Sequence, residues 1–272
     1  MRIDVAGTRI EVDTGGDGPP VLLVHGWPDT HSLWDPQVAA LRSAGYRTIA
    51  PDLRGFGGSD KPEDVSQYAI PFLAADVLGV LDHLGVGQAH VVGHDWGAAL
   101  AWAIASFAPE RVASLTALSV GHPGAFVAAG YPQREKSWYM LLFQFSDVAE
   151  EWLSRDSFHN FREWSRHPRP DEVASRLTDR AALTASLAPY RANLPPESLV
   201  APPPALPPVT APTMGVWSSL DFALTEAQMR DSAMFVTGSF RYERLEEVGH
   251  WMTLEAPERV NELLLDFLGA QS

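Results

Sequence analysis

The chain has 272 residues, with 34 acidic against 20 basic side chains and a formal net charge of −14. A nucleic-acid binder needs a basic face to displace counterions from phosphates; no Lys/Arg run supplies one, so DNA and RNA are excluded as partners. With 46% apolar residues and nine Trp a sizeable core is expected, and with no Cys there is no disulfide, thiol nucleophile or thiolate metal site.

Residues 2–13 alternate in strand fashion (Ile3 and Val5, then Ile10 and Val12) and read as a hairpin. Val21-Leu22-Leu23-Val24 is a continuous apolar run, the mark of a strand buried on both faces. A helix is expected at about 33–43, a strand at 46–50, and a helix over 70–84 with Leu73, Val77, Val80, Leu81 and Leu84 on one stripe. Strand 89–92, helix 96–107 and strand 113–120 follow. Alternating buried strands and helices predict a parallel sheet covered on both faces.

After Gly121 that alternation stops. Residues 122–208 hold aromatic-rich helical stretches (Trp138 to Phe145, Val148 to Trp152, Phe158 to Trp164) and no clear strand. Nine of the 22 prolines lie between Pro189 and Pro212, which predicts a stiff, extended connector with little helix. The sheet pattern then resumes, with strands at 213–217 and 241–246 and helices at 225–233 and 257–268. The expected organisation is a core of 1–121 and 209–272 interrupted by a helical cap at 122–208. Met1-Arg2-Ile3-Asp4 lacks the apolar stretch of a signal peptide, and the charge-free stretch Val112 to Gln133 is broken by glycines and prolines. A soluble, cytoplasmic protein with no membrane partner is expected.

Gly93-His94-Asp95-Trp96-Gly97, between a buried strand and an apolar helix, has the small-x-nucleophile-x-small form of a nucleophile elbow, with Asp at its centre. By itself this Asp reads more simply as a helix N-cap; two further motifs reverse that. His25-Gly26-Trp27-Pro28 ends the earlier strand, where α/β-hydrolases take one backbone N–H of the oxyanion hole, the other coming from the residue after the nucleophile. Those donors would be the amides of Trp27 and Trp96. Gly249-His250-Trp251 follows the last strand, where the base of such enzymes sits. Asp221 lies just past strand 213–217, as an orienting carboxylate should; the alternative position after strand 113–120 has no carboxylate from Val112 to Arg134.

Together with Pro51-Asp52-Leu53-Arg54-Gly55-Phe56-Gly57, these motifs resemble the epoxide hydrolase family of the α/β-hydrolase superfamily over essentially the whole chain. The resemblance implies the α/β-hydrolase fold with an inserted helical cap, and two cap tyrosines that hydrogen-bond the epoxide oxygen. Tyr139 matches the first by its spacing to Phe143-Gln144; Tyr190, before Arg191, matches the second, with Pro189 where an aromatic is usual. It also implies Asp95 as nucleophile, His250 as base of water, Asp221 as its partner, and no metal or cofactor. The expected partners are water and a small hydrophobic epoxide, aryl epoxides included; oligomeric state, a homodimer among the options, is left open.

Plainer roles are expected for other conspicuous residues. His25 and His94 are read as structural, Asp52 and Arg54 as fixing their loop, and Glu243, Glu246 and Glu247 as a solvated face. Trp138, Phe143, Trp152 and Trp164 are read mostly as cap core, with some expected to line an apolar pocket, and Tyr131 as packed or solvent-facing. A haloalkane dehalogenase would use the same Asp and His, but that family usually has Asn where Trp27 stands. A fluoroacetate dehalogenase usually has Arg where Trp96 stands. A non-catalytic ligand-binding member of the fold is the third alternative.

Overall fold

The architecture is that of a computed structural model, which describes residues 1–199 and 205–271. Among the described residues, eight strands form one sheet: β1 (Arg2–Val5), β2 (Thr8–Gly15), β3 (Pro20–Val24), β4 (Arg47–Pro51), β5 (Ala89–His94), β6 (Val112–Leu118), β7 (Thr213–Ser218) and β8 (Phe240–Leu245). Their order is β1-β2-β4-β3-β5-β6-β7-β8. The β1–β2 hairpin joins β4 antiparallel, and every later pairing is parallel.

Side chains of a strand alternate between faces, and β3 shows what that does to the core. Leu22 and Val24 join the apolar cluster on one face with α2 (Ile70–His83) and α3 (Trp96–Phe107). Val21 and Leu23 join the cluster on the other, against α1 (Asp35–Ser43) and the C-terminal helix. The stripe Leu73, Val77, Val80 and Leu81 of α2 is buried, and α3, apolar nearly all round, is buried along most of its length.

Among the described residues, six α-helices lie between β6 and β7: α4 (Pro123–Ala128), α5 (Gly130–Lys136), α6 (Trp138–Leu142), α7 (Val148–Ser165), α8 (Pro170–Leu177) and α9 (Arg180–Asn193). After β7 come α10 (Glu226–Arg230), α11 (Met252–Glu255) and α12 (Pro257–Gly269). Among the described residues, no helix is long and apolar enough to cross a membrane.

The structure corrects several expectations. The helix expected at 33–43 begins as a 3₁₀ turn, His31–Trp34, before α1. The stretches 148–152 and 158–164 meet in one element, α7, kinked where Arg155 to Phe158 leave helical geometry. Pro189, assigned to an extended connector, sits inside α9, and Pro196 opens a further 3₁₀ turn. Burial of Leu183, Leu187 and Tyr190 outweighs the one backbone hydrogen bond that a proline removes from a helix. Within that connector, residues 200–204 lie outside the described residues, and 205–212 hold one isolated bridge, Val209 with Val236. Of Trp138, Phe143, Trp152 and Trp164, Trp138, 48% exposed, is the one that lines an apolar cavity, its ring edge-on to Trp152 and Trp164.

Candidate active site

Five parallel strands deliver their carboxyl ends to one edge of the sheet, where ligands of open α/β sheets bind. β3 leads into Trp27, β5 into Asp95, β6 into Ser119, β7 into Asp221 and β8 into His250. Chain segments remote in sequence are thereby brought together by sheet order alone.

Asp95 occupies the turn between β5 and α3 with φ 53° and ψ −121°. A non-glycine residue there carries strain of about 1–3 kcal/mol, sustained by its surroundings. Those surroundings leave no slack: a Cβ on Gly97 would lie 1.9 Å from the Val24 carbonyl oxygen, and one on Gly26 would lie 2.4 Å from Asp95 Oδ1. The side chain makes no N-capping hydrogen bond, which removes the plain reading of Asp95 as a cap. Its Oδ1 instead accepts a 2.8 Å hydrogen bond from the Trp27 amide. Trp96 is the first residue of α3, so its N–H is among the amides with no partner inside the helix.

His250 stands between two carboxylates. Its Nε2 is 3.7 Å from Asp95 Oδ2 and its Nδ1 is 3.1 Å from Asp221 Oδ2. Burial by itself would lower the imidazole pKa; Asp221 and Asp95 outweigh it and raise it to about 10, so the resting ring holds two protons. Asp221 is also fully buried, which favours its neutral form, yet His250 and hydrogen bonds from Ser119 and Ala223 hold it below the usual carboxylate range. Its Oδ1 accepts from the Ala223 and Leu224 amides at 2.8 and 2.9 Å.

Tyr139 on α6 and Tyr190 on α9 face the same carboxylate from the inserted helices. Their ring centroids are 6.1 Å apart, and the Tyr190 ring stands edge-on to the Trp96 indole at 5.0 Å. Burial first, then the charge of Asp95, pushes both phenols well above their ordinary pKa, so both remain protonated. Asp95, Trp96, Tyr139 and Tyr190 line one cavity of about 970 Å³ whose walls are otherwise mainly apolar. All seven residues singled out from the sequence thus lie in this region. Among the described residues no group of three or more His, Asp or Glu is placed to hold a metal ion.

The histidines read as structural make structural bonds. His25 Nδ1 donates to the Gly26 carbonyl at 2.8 Å while Nε2 accepts from the Leu53 amide at 2.9 Å. His94, which burial and then the charge of His250 lower to about 4, donates from Nε2 to the His250 carbonyl at 2.9 Å. Asp52 accepts from the His31 and Gly58 amides, and Arg54 makes a buried two-pronged pair with Asp76.

Two features escaped the sequence. Ser119, at φ 71°, donates from Oγ to Asp221 Oδ2 at 2.6 Å and sits 2.9 Å from His250 Nδ1. It occupies the position after β6 where a carboxylate was sought; a serine in a strand-like run carries no signal of such a turn. The other is a clasp between the inserted helices and the core. His167 meets Asp29 at 3.2 Å with Arg176 at 3.7 Å, Trp251 Nε1 donates to the Ser165 carbonyl at 3.0 Å, and Lys136 Nζ donates to the Asp221 carbonyl. Asp29 is just past the Trp27-Pro28 pair, so its position could have raised interest, but its partners lie some 140 residues away.

Comparison with known proteins agrees with this fold. Residues 19–257 match the family described as alpha/beta hydrolase fold. The chain is 34% identical to an AB hydrolase superfamily protein of Bacillus subtilis, covering 99% of this chain and 97% of that one. It is 31% identical to epoxide hydrolase A of Mycobacterium tuberculosis, covering 98% and 96%. Among solved structures, an epoxide hydrolase of Bacillus megaterium with an inhibitor superposes with a TM-score of 0.85 at 28% identity, covering 99% of this chain and 100% of that one. The chain belongs to the α/β-hydrolase fold family and, within it, to the epoxide hydrolases.

Proposed function

We propose that this protein hydrolyses epoxides to vicinal diols through an alkyl ester on Asp95. The observation that carries the reading is that one carboxylate and two protonated phenols line the same apolar cavity, with His250 directly behind the carboxylate. The inserted helices act as a cap that presents the phenols.

In the first step an Asp95 carboxylate oxygen forms a bond to an epoxide carbon, and that carbon's bond to the ring oxygen breaks. A carboxylate is ionised at neutral pH and needs no base to attack. The departing oxygen is strongly basic, and Tyr139 or Tyr190 supplies its proton, help of a kind worth on the order of 10²–10⁴ in rate. Esterification also removes the charge of Asp95, one of the two that hold the extra proton on His250. The ring's pKa falls, and its proton restores the phenol. His250 is then neutral at the stage that requires a base.

In the second step water adds to the Asp95 acyl carbon and gives a proton to His250, which Asp221 orients. The Trp27 and Trp96 amides hold the oxyanion, each donor of this kind being worth on the order of 10² or more. Collapse breaks the ester C–O bond, and the departing alkoxide takes the proton of the new carboxyl group. Diol, ionised Asp95 and protonated His250 remain, so atoms and charges balance.

The test is intact mass of His250→Ala after incubation with styrene oxide and, separately, with bromobutane. The expected result is an adduct of whole-epoxide mass, absent in Asp95→Ala. A butyl adduct alone would move the assignment to a dehalogenase. No adduct from either would return the chain to the ligand-binding alternative.

A further inference from the structure

The cavity lies on one side of Asp95. Among the described residues its walls come from Asp95, the start of α2, α3, the segment after β6, α4 to α6 with Gln144 just beyond, the end of α9 with the segment after it, and Leu224. None comes from the loop after β3 or from α7 or α8, although Trp27 of that loop touches the carboxylate. The space there is filled: the Trp27 indole packs against Phe143, Phe161 and Trp164 with ring centroids 5.4, 5.9 and 5.8 Å away.

On the open side the cavity follows one face of α3. Trp96, Ala99, Ala103 and Phe107 line it, at intervals of three and four residues that set side chains in a row. Eleven residues at about 1.5 Å each make this trough about 16 Å long. Alanine at the two middle positions is what leaves it hollow. Its inner end is closed, Asp95 being 7% exposed, and its outer end opens at Phe107, 66% exposed.

From this we infer that the enzyme selects epoxides whose ring lies at or beside the end of one long apolar arm. The inference rests on the epoxide hydrolysis proposed above. The ring sits at the closed end against Asp95, Tyr139 and Tyr190, and the arm runs over Ala99 and Ala103 toward Phe107. Each methylene moved from water into the trough is worth up to about fourfold in kcat/KM. An epoxide with two arms of equal length must push one of them into the packed rings around Trp27, which resist added volume.

The test compares two cis-disubstituted epoxydodecanes, one with the ring one carbon from the chain end, the other with it at mid-chain. They share formula, apolarity and ring substitution, so only the placing of the arm differs. The expected kcat/KM is on the order of 30-fold higher for the near-end isomer, the worth of a few buried methylenes. Equal rates, or preference for the mid-chain isomer, overturn the inference while leaving epoxide hydrolysis intact. If styrene oxide and both isomers are inert, the proposed function fails and takes the inference with it. A second measurement uses Ala103→Phe, which plugs the trough halfway. In folded protein, checked by its melting curve, the ratio of near-end epoxydodecane to styrene oxide kcat/KM should fall on the order of tenfold; an unchanged ratio overturns the inference.

Discussion

The strand-end loops and the inserted helices each contribute half of the site, by different physical means. Asp95, Asp221 and His250 lie just past the ends of β5, β7 and β8, and at Asp95 backbone contacts with no spare volume, such as those at Gly26 and Gly97, set where the side chain points. Tyr139 and Tyr190 rest on separate helices whose relation depends on side-chain packing: Tyr139 against Trp164 at 4.7 Å, Tyr190 against Phe143 at 5.0 Å. One half is built on hydrogen-bonded sheet, the other on a layer of aromatic rings. The sheet side should therefore carry the steps that demand fixed geometry, and the helical side the choice of substrate.

Single substitutions can break that division. The largest effect is expected on the sheet side, where Asp95→Ala removes the proposed nucleophile and should lower kcat by on the order of 10⁴ or more with the fold retained. Replacing both phenols, Tyr139→Phe with Tyr190→Phe, should cost on the order of 10²–10⁴. The two halves then part in pre-steady-state mass spectra. His250→Ala should accumulate ester, whereas the double Tyr variant should form it slowly and never accumulate it. Ester build-up in the Tyr variant would place the phenols in the second step and blur the comparison.

Asp221→Asn sharpens it further. With Asp221 neutral, one of the charges that raise His250 is gone, so its pKa must fall from about 10. A raised histidine pKa stabilises the fold fully below its unfolded value of about 6.5, and that stability is lost as pH rises through the folded value. The wild-type contribution should therefore persist at neutral pH and fade toward pH 10, while in Asp221→Asn it fades at lower pH. Titration of the His250 ring by NMR checks the shift, and an unmoved midpoint would refute the assignment of Asp221. The smallest effect is expected at the clasp. Among the described residues, His167→Ala leaves the buried Asp29 carboxylate with one ion pair, the longer one to Arg176. The loss should be about 1–3 kcal/mol, seen as a lower Tm, with the His250 titration unchanged.

How much of this was legible from residues alone follows the same line. The strands around β3 and β5 and the elbow at Asp95 are local patterns, each written in a handful of consecutive residues, and Asp221 and His250 were picked out by their places after later strands. Ser119 was not legible, because it acts through a turn that its residue type does not announce. Which of Trp138, Phe143, Trp152 and Trp164 lines the cavity, Trp138 as it turns out, was not legible for a related reason: an aromatic residue in a helical stretch says that something apolar is near, not which face is covered. Pro189 was misjudged because propensity was read without the buried neighbours that override it.

By itself, then, the sequence determined the parallel α/β sheet, the place of the helical insertion and the residue types that meet at the strand ends, because strand alternation, glycine-bracketed turns and apolar runs are short-range constraints. Only the tertiary structure decided that Asp29 meets His167, that Ser119 joins Asp221 and His250, and that the cavity opens along Ala99 and Ala103 while rings fill the space by Trp27. Those outcomes depend on how side chains from distant segments divide a common volume, and close packing among many partners leaves no pattern in any one stretch of chain.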